Sequence, residues 1–239
     1  MDATWDLIEV RAGGPVVRET GTPLGEILRR LEGGESPRRV VEVLGLSPAD
    51  LIAALAHAGL GEHASDGPEL VRGAARRPRL AGALTEGAWV ALLPDAPLPA
   101  RLVLSAALLQ IHDFWDASHH AAQQADDLGE RHVSAYWHAI AHRREPDPGN
   151  ASYWFRRVGA HPVSPPLATA ARPLLDAHGD PSLTARLIQA GGWNPFAFVD
   201  FCTEAGRSTP SAGLAREIQR LEMILLLEAS ARAAAVAST

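Results

Sequence analysis

Apolar residues recur at helical spacing along most of the chain, and short polar breaks divide it into segments. Near the N-terminus, two short apolar runs flank Gly13-Gly14-Pro15 and predict a small β-hairpin. Three apolar stripes follow, and they predict a trihelical unit whose last two helices stand in helix-turn-helix order. The stripes are Leu24, Ile27, Leu28 and Leu31, then Val40, Val41 and Leu44, then Leu51, Ile52 and Leu55.

Capping residues predict where these three helices begin and end. A hydroxyl side chain followed by proline favours a helix start, because the oxygen accepts from a free amide and proline fits the first turn. A glycine after the last apolar position favours a helix end. The predicted starts are Thr22-Pro23, Ser36-Pro37 and Ser47-Pro48, and the predicted ends are Gly33, Gly45 and Gly59.

The C-terminal pattern is helical almost throughout. Residues 98–127 predict one long helix and residues 131–144 a second. Further helix starts are predicted at Asn150, Asp180 and Asn194, and the final helix carries the stripe Leu214, Ile218, Leu221 and Leu225. The predicted fold class is mainly α: a hairpin and helix-turn-helix-like module over residues 1–62, a linker over residues 63–97 and a larger all-helical domain over residues 98–239.

The predicted linker contains four arginines close together, Arg72, Arg76, Arg77 and Arg79. One interpretation is a solvated connector, because the surrounding residues are small and polar. The other is a patch that contacts phosphate groups, which would give salt-dependent retention on heparin or DNA.

Composition and charge limit the binding partners and the cellular location that we expect. The net charge is −6 and all 22 basic residues are arginine, so the chain has no overall positive field for nucleic acid or an anionic membrane. Its apolar runs are shorter than the roughly 18 residues that span a bilayer, so no membrane segment is expected. Asp2 and Asp6 replace the basic start of a secretory signal, and a single cysteine, Cys202, fits the same expectation of a cytoplasmic protein.

Several segments of the first 62 residues resemble the DUF433 family of small antitoxin-like modules. They are Gly13-Gly14-Pro15-Val16-Val17-Arg18, Thr22-Pro23-Leu24, Gly34-Glu35-Ser36-Pro37 and Asp50 to Ala56. The resemblance implies a hairpin plus helix-turn-helix fold and often a homodimer. The helix over residues 48–58 has no Arg, Lys, Asn or Gln with which to read base edges. We therefore expect residues 1–62 to contact a second copy or another protein partner rather than a specific DNA sequence.

Histidine and aromatic residues cluster between His112 and His161. This fifth of the chain holds seven of the ten histidines and seven of the thirteen aromatic residues. Aromatic walls with titratable groups between them are typical of small-ligand pockets. The window is therefore the predicted functional site.

Within this window, His138 and His142 are the best candidate pair of metal ligands, because residues four apart share a helix face. A third ligand is expected from His112, Asp116 or His119 on the preceding helix, around a divalent ion such as zinc, iron or manganese. His112, Asp116, His138 and His142 are also the candidate catalytic acid-base groups. A metal-free polar pocket and a purely structural role for these histidines remain the alternatives.

Two arginine pairs, Arg143-Arg144 and Arg156-Arg157, flank the turn at residues 146–149. Guanidinium groups bind carboxylate or phosphate through two hydrogen bonds, so the pairs predict a clamp for a small anionic ligand. The alternative is ion pairing with neighbouring carboxylates. The remaining predicted ligand-binding residues are Tyr136, Trp154 and His161; the segments around them are similar to an uncharacterised family of bacterial and fungal proteins.

Two functions follow from these patterns. The first is a helical domain that binds a small anionic ligand, and acts on it, through His, Asp and Arg side chains with or without a metal ion. The second is an antitoxin-like regulator or partner-binding protein that works through residues 1–62. The first depends on the histidines, whereas the second does not.

Overall fold

The chain begins with the predicted hairpin. Strands β1 (Ile8–Arg11) and β2 (Gly14–Val17) pair antiparallel, with Ile8 opposite Val17 and both side chains buried. The first strand was predicted to run from Trp5 to Val10, but residues 5–7 belong to a short 3-10 helix (Thr4–Leu7). The computed structural model describes residues 4–63, 65, 67–190, 192–205 and 209–235.

Three helices complete the N-terminal module: α1 (Leu24–Glu32), α2 (Pro37–Leu44) and α3 (Pro48–Leu60). The Ser36 and Ser47 hydroxyls accept from the third residue of their helices, as predicted, and Ser47 forms a complete capping box with Asp50. The predicted apolar stripes point inward. The mainly α fold, with a small N-terminal hairpin and a larger all-helical region, is confirmed.

Two predicted helix boundaries, Thr22 and Gly59, are wrong. The Thr22 hydroxyl accepts from Thr20 at 2.8 Å, which leaves Pro23 as the uncapped residue before α1. Gly33 follows the end of α1 as predicted, although its φ of −76° is right-handed rather than left-handed. Gly59 lies inside α3, where a Cβ atom would stand 2.8 Å from Cγ1 of Ile111, so its role is to allow close packing rather than to end the helix. Gly61, with φ of +64°, ends α3 instead.

The predicted linker contains folded structure from residue 78 onward. A 3-10 helix (Pro78–Leu80) and two short helices, α4 (Ala81–Leu84) and α5 (Glu86–Trp89), follow one another there. Leu80, Leu84 and Trp89 are fully buried. Large apolar side chains therefore fix residues 78–89 to the core.

The long helix predicted over residues 98–127 is two helices, α6 (Leu98–Ile111) and α7 (Trp115–Asp127), so that prediction is wrong. Asp113 between them adopts a left-handed φ of +64°, which aspartate tolerates better than most residues. The chain therefore folds back, and the Ser118 hydroxyl of α7 donates to the Ala106 carbonyl of α6 at 2.8 Å.

The helices that carry most of the predicted site come next: α8 (Val133–Arg144), which packs against α7, and α9 (Pro148–Val158), which packs against α8. Asp147 caps α9, because its carboxylate accepts from the Asn150 amide at 2.9 Å. The prediction of Asn150 as the capping residue is therefore wrong.

The rest of the described chain is helical apart from one small hairpin. Asp180 and Asn194 accept from helix amides as predicted. The elements are α10 (Ser164–His178), α11 (Pro181–Leu187), strands β3 (Ile188–Gln189) and β4 (Gly192–Trp193), α12 (Pro195–Ala205) and α13 (Thr209–Ala235).

Helix α13 joins the regions, since it packs against α3, α6, α8, α10 and α12. Its buried face contains Ile218, Met223 and Leu226, so the predicted stripe is displaced. Glu222 is fully buried on the same face, although the stripe placed it elsewhere. Among the described residues no single helix is long and apolar enough to cross a membrane; only the bent pair Pro37–Leu44 and Pro48–Leu60 has the required length and composition when taken together.

Candidate metal centre

Three histidine side chains converge between α7 and α8. His138 and His142 stand one turn apart on α8, and His119 faces them from α7. Nε2 of His119 lies 2.7 Å from Nε2 of His138 and 3.3 Å from Nε2 of His142. One nitrogen from each residue lies within 4.8 Å of the other two, close enough for the set to hold one ion.

No arrangement of protons gives all three Nε2 atoms a good hydrogen bond. The Glu145 carboxylate lies 3.0 Å from Nδ1 of His142, so that nitrogen carries the proton and Nε2 of His142 presents a lone pair. If Nε2 of His119 is protonated, one N–H is shared between two acceptors. If Nε2 of His138 is protonated instead, the lone pairs of His119 and His142 face each other. A cation accepts all three lone pairs at once.

The Glu145 carboxylate, directly after α8, holds the His142 ring in place. Nδ1 of His142 donates to Glu145, so the Asn150 side-chain nitrogen, 3.4 Å from the same atom, adds no hydrogen bond to it. A carboxylate on the far nitrogen of a ligating imidazole fixes its tautomer and raises its basicity, and this arrangement is usual around protein metals. Glu145 occupies the same position relative to His142.

Two tryptophans enclose the cluster. The Trp154 ring stacks on His138 with centroids 3.8 Å apart, and the Trp115 ring stacks on His119 at 5.1 Å. His138 and His142 are buried, whereas His119 is partly exposed. The trio is therefore shielded on two sides and reaches solvent through His119.

Burial favours the uncharged form of two of these imidazoles, His138 and His119. It lowers the pKa of His138 to about 3, and neighbouring positive charges, including that of Arg157, act in the same direction. Burial also lowers the pKa of His119, with His142 adding to the effect. Neutral imidazole is the form that binds metal ions, so His138 and His119 are in the form that can bind a cation at physiological pH.

The N-terminal part of the chain matches a family model. Residues 8–58 match the DUF433 family. That family is described as a protein family of unknown function. No curated protein and no solved structure matches the chain significantly. The DUF433 match supports the resemblance predicted for the N-terminal module and ends well before the histidine cluster, while the resemblance predicted for the C-terminal part stays a prediction.

His112 contacts the N-terminal module and lies apart from the histidine trio. Its Nε2 lies 3.0 Å from the carbonyl oxygen of Leu55 in α3, and the ring is buried. Asp116 is exposed and pairs with Arg72 at 3.7 Å. Of the predicted metal ligands, the structure brings together His119, His138 and His142 only, because the turn at Asp113 separates His112 from α7.

The burial of His112 predicts acid sensitivity. Burial lowers the pKa of His112 from 6.5 to about 4, and the charge of Arg77 adds to this. The unfolded chain takes up a proton near pH 6.5 and the folded chain does not, so the contribution is complete above pH 6.5 and is lost as pH falls to about 4. As the pH falls from 6.5 to about 4, we expect the unmodified protein to lose about 3 kcal/mol more stability than His112→Gln. The glutamine amide of this variant can still donate to the Leu55 carbonyl. Urea unfolding of metal-free protein at several pH values measures this, and parallel curves would contradict it.

The predicted arginine clamp does not form around Arg143 and Arg144. Arg143 is buried and pairs with Glu222, whose carboxylate also accepts from the Tyr136 hydroxyl at 3.0 Å. Arg144 is buried and pairs with Asp113. The structure thus gives both arginines the alternative role, ion pairing inside the fold.

The other predicted ligand-binding residues lie around the outer part of the site. Arg157 pairs with Asp126 at 2.9 Å and lies over the Trp154 ring, while Arg156 lies over the Phe196 ring. The His161 ring stacks on His132. Of this group, Arg157 and Trp154 are therefore the two that adjoin the histidine trio.

Sequence reasoning missed the roles of Trp115 and Glu145. Trp115 precedes His119 by four residues and Glu145 follows His142 by three, and both spacings place side chains on one helix face. The spacing was therefore available as a signal for both. Arg72, whose guanidinium lies 4.4 Å from the Trp115 ring centre, comes from a distant segment, so no local pattern indicates it.

Proposed function

We propose that this protein binds a divalent metal ion through Nε2 of His119, His138 and His142. The convergence of these three nitrogens carries the proposal. Imidazole donors suit zinc and iron, and bind manganese less strongly. Neutral side chains, a carboxylate behind His142 and aromatic walls all support a metal centre.

The spacing suits a small tetrahedral ion. Zinc bonds to imidazole at about 2.0–2.1 Å, so tetrahedral ligand atoms stand about 3.3 Å apart. The distance between Nε2 of His119 and Nε2 of His142 is 3.3 Å. The distance from His119 to His138, 2.7 Å, has to open by about half an ångström. His119 is partly exposed, so its side chain has room to make this adjustment.

We further propose that the metal binds a small anionic ligand and acts on it. Three histidine ligands leave a coordination position for water or substrate, as in catalytic zinc sites, where bound water loses a proton near pH 7. Arg157 and Arg72 lie over the two tryptophan rings that enclose the trio. These two cations, rather than Arg143 and Arg144, would favour a carboxylate or phosphate beside the metal.

Glu145→Gln tests the metal centre without removing a ligand. The neutral amide supports the His142 tautomer less well, so we expect zinc affinity to fall about 10- to 100-fold. Isothermal titration of chelator-treated protein with Zn²⁺ measures this. Asp116→Asn is the matched control: this carboxylate is exposed near the site, and its loss should change the affinity less than threefold. Equal affinities for Glu145→Gln and the unmodified protein would contradict the proposal.

We propose as a second candidate function contact with another copy or with a partner protein through residues 1–62, in the antitoxin-like role that the resemblance to DUF433 modules implies. Every residue from Leu51 to Leu60 except Ala58 is buried, which leaves α3 without a long face to enter a DNA groove. We therefore propose protein contact rather than sequence-specific DNA binding. Sedimentation of the full chain and of its His138→Ala/His142→Ala variant separates the two candidates: a dimer that survives in the variant supports this one, and a monomer at all concentrations counts against it.

A further inference from the structure

A polar cleft, separate from the histidine trio, lies between the N-terminal module and the helical region. It has a volume of about 610 Å³ and is formed by the end of α1, the end of α3, the arginine-rich segment 76–79 and the turn after α6. Its lining includes Arg76, Arg77 and Arg79, and the carboxylates of Glu32 and Asp113. None of these residues belongs to the histidine cluster.

Arginine side chains are concentrated in this cleft, although the chain as a whole is negatively charged. The whole protein carries a net charge of −6, yet three guanidinium groups line this one cleft. Asp113 is neutralised by its pair with the buried Arg144. Arg77 lies 3.1 Å from Glu32, and Arg79 forms no ion pair with any described residue. Arg79 therefore adds to the cleft a positive charge that no described carboxylate offsets.

The arginine segment is held in place before any ligand arrives. The Arg76 guanidinium donates to the Gly67 carbonyl at 2.6 Å, and Leu80, directly after Arg79, is fully buried. On the opposite wall, Gly59 lets α3 approach Ile111 closely. Pre-ordered binding groups lose less entropy when a ligand binds, so such a cleft favours recognition.

We propose that this cleft is a binding site for a small phosphate-bearing anion, recognised by Arg77 and Arg79 with Arg76 beside them. Guanidinium groups match phosphate oxygens through paired hydrogen bonds. The concave shape favours a small ligand over a long nucleic-acid backbone, because a backbone reads an extended surface rather than a cleft. The site is independent of the proposed metal centre, and it explains the arginine cluster in chemical terms.

Inorganic pyrophosphate, titrated into chelator-treated full-length protein, is the probe, because the metal-free protein has no competing site at the histidines. We expect saturable binding that weakens with added salt. Arg79→Ala should weaken it about tenfold, since it removes one charge-assisted contact. Glu32→Gln should strengthen it several-fold, because Arg77 is released from its exposed ion pair, which contributes little stability. Arg39→Ala, which removes an exposed arginine on α2, should leave it unchanged.

The opposite effects of Arg79→Ala and Glu32→Gln would support the proposal, because a purely structural role does not predict a gain of affinity. Absence of saturable binding, or equal affinity in all four proteins, would overturn it. Competition by a short DNA duplex that depends on Arg79 would also overturn it, since the cleft would then serve nucleic-acid phosphates.

Discussion

The His138→Ala/His142→Ala protein should purify without bound metal and show no stoichiometric Zn²⁺ binding, whereas the unmodified chain binds one ion. Two of the three converging nitrogens are gone in this variant, and one imidazole does not hold a zinc ion at micromolar concentration. Elemental analysis of untagged protein and calorimetric titration measure the difference. Zinc at 1,000 times its dissociation constant should stabilise the unmodified chain by about 4 kcal/mol and leave the variant unchanged.

Two controls separate ligand loss from general damage. His120→Ala/His178→Ala removes two exposed histidines and should leave one zinc bound. His119→Ala removes the partly exposed member of the trio and keeps both buried positions intact, so it should lose metal while folding normally. Stoichiometric zinc in His119→Ala would contradict the proposed ligand set.

Glu222→Ala should lower the free energy of unfolding by about 3–5 kcal/mol, the largest stability effect expected outside the metal centre. The Glu222 carboxylate is fully buried and lies 2.5 Å from the Arg143 guanidinium. Its removal leaves a buried cation without a counterion and the Tyr136 hydroxyl without its acceptor. Urea denaturation followed by circular dichroism measures the loss.

Two further variants identify the cause of that loss. Arg143→Met/Glu222→Leu replaces both charges with apolar groups of similar volume and should recover most of the stability. Glu228→Ala, six residues further along α13, removes a partly exposed carboxylate and should change stability by less than about 1 kcal/mol. A Glu222→Ala protein within 1 kcal/mol of the unmodified chain would show that the pair is not needed.

Local patterns predicted those parts of the fold that depend on local chemistry. The hairpin at Gly13-Gly14-Pro15 and the starts at Ser36 and Ser47 follow from turn and capping preferences that act within a few residues. The break after α6 was missed, because Asp113 looks helical in sequence and its left-handed conformation is fixed by the Arg144 pair 31 residues away. The core role of Trp89 was missed, because the apolar segment from Trp89 to Leu93 was assigned to the linker that leads into the C-terminal domain.

In the candidate site too, local spacing predicted some residues, and only the tertiary fold determined the position of others. His138 and His142 were paired by their spacing on one helix, and the structure adds His119 by packing α7 against α8. His112 and Arg143 could not be placed from the sequence. Their partners, Leu55 and Glu222, lie 57 and 79 residues away, so only the tertiary fold determines whether each side chain faces a ligand or the core.

The central claim concerns the position of one ion, and X-ray diffraction from zinc-supplemented crystals at the zinc absorption edge locates it directly. We expect one anomalous-difference peak about 2.0–2.1 Å from Nε2 of His119, His138 and His142. A zinc-replete crystal with no peak between these three nitrogens, or with its zinc bound elsewhere on the chain, would contradict the account.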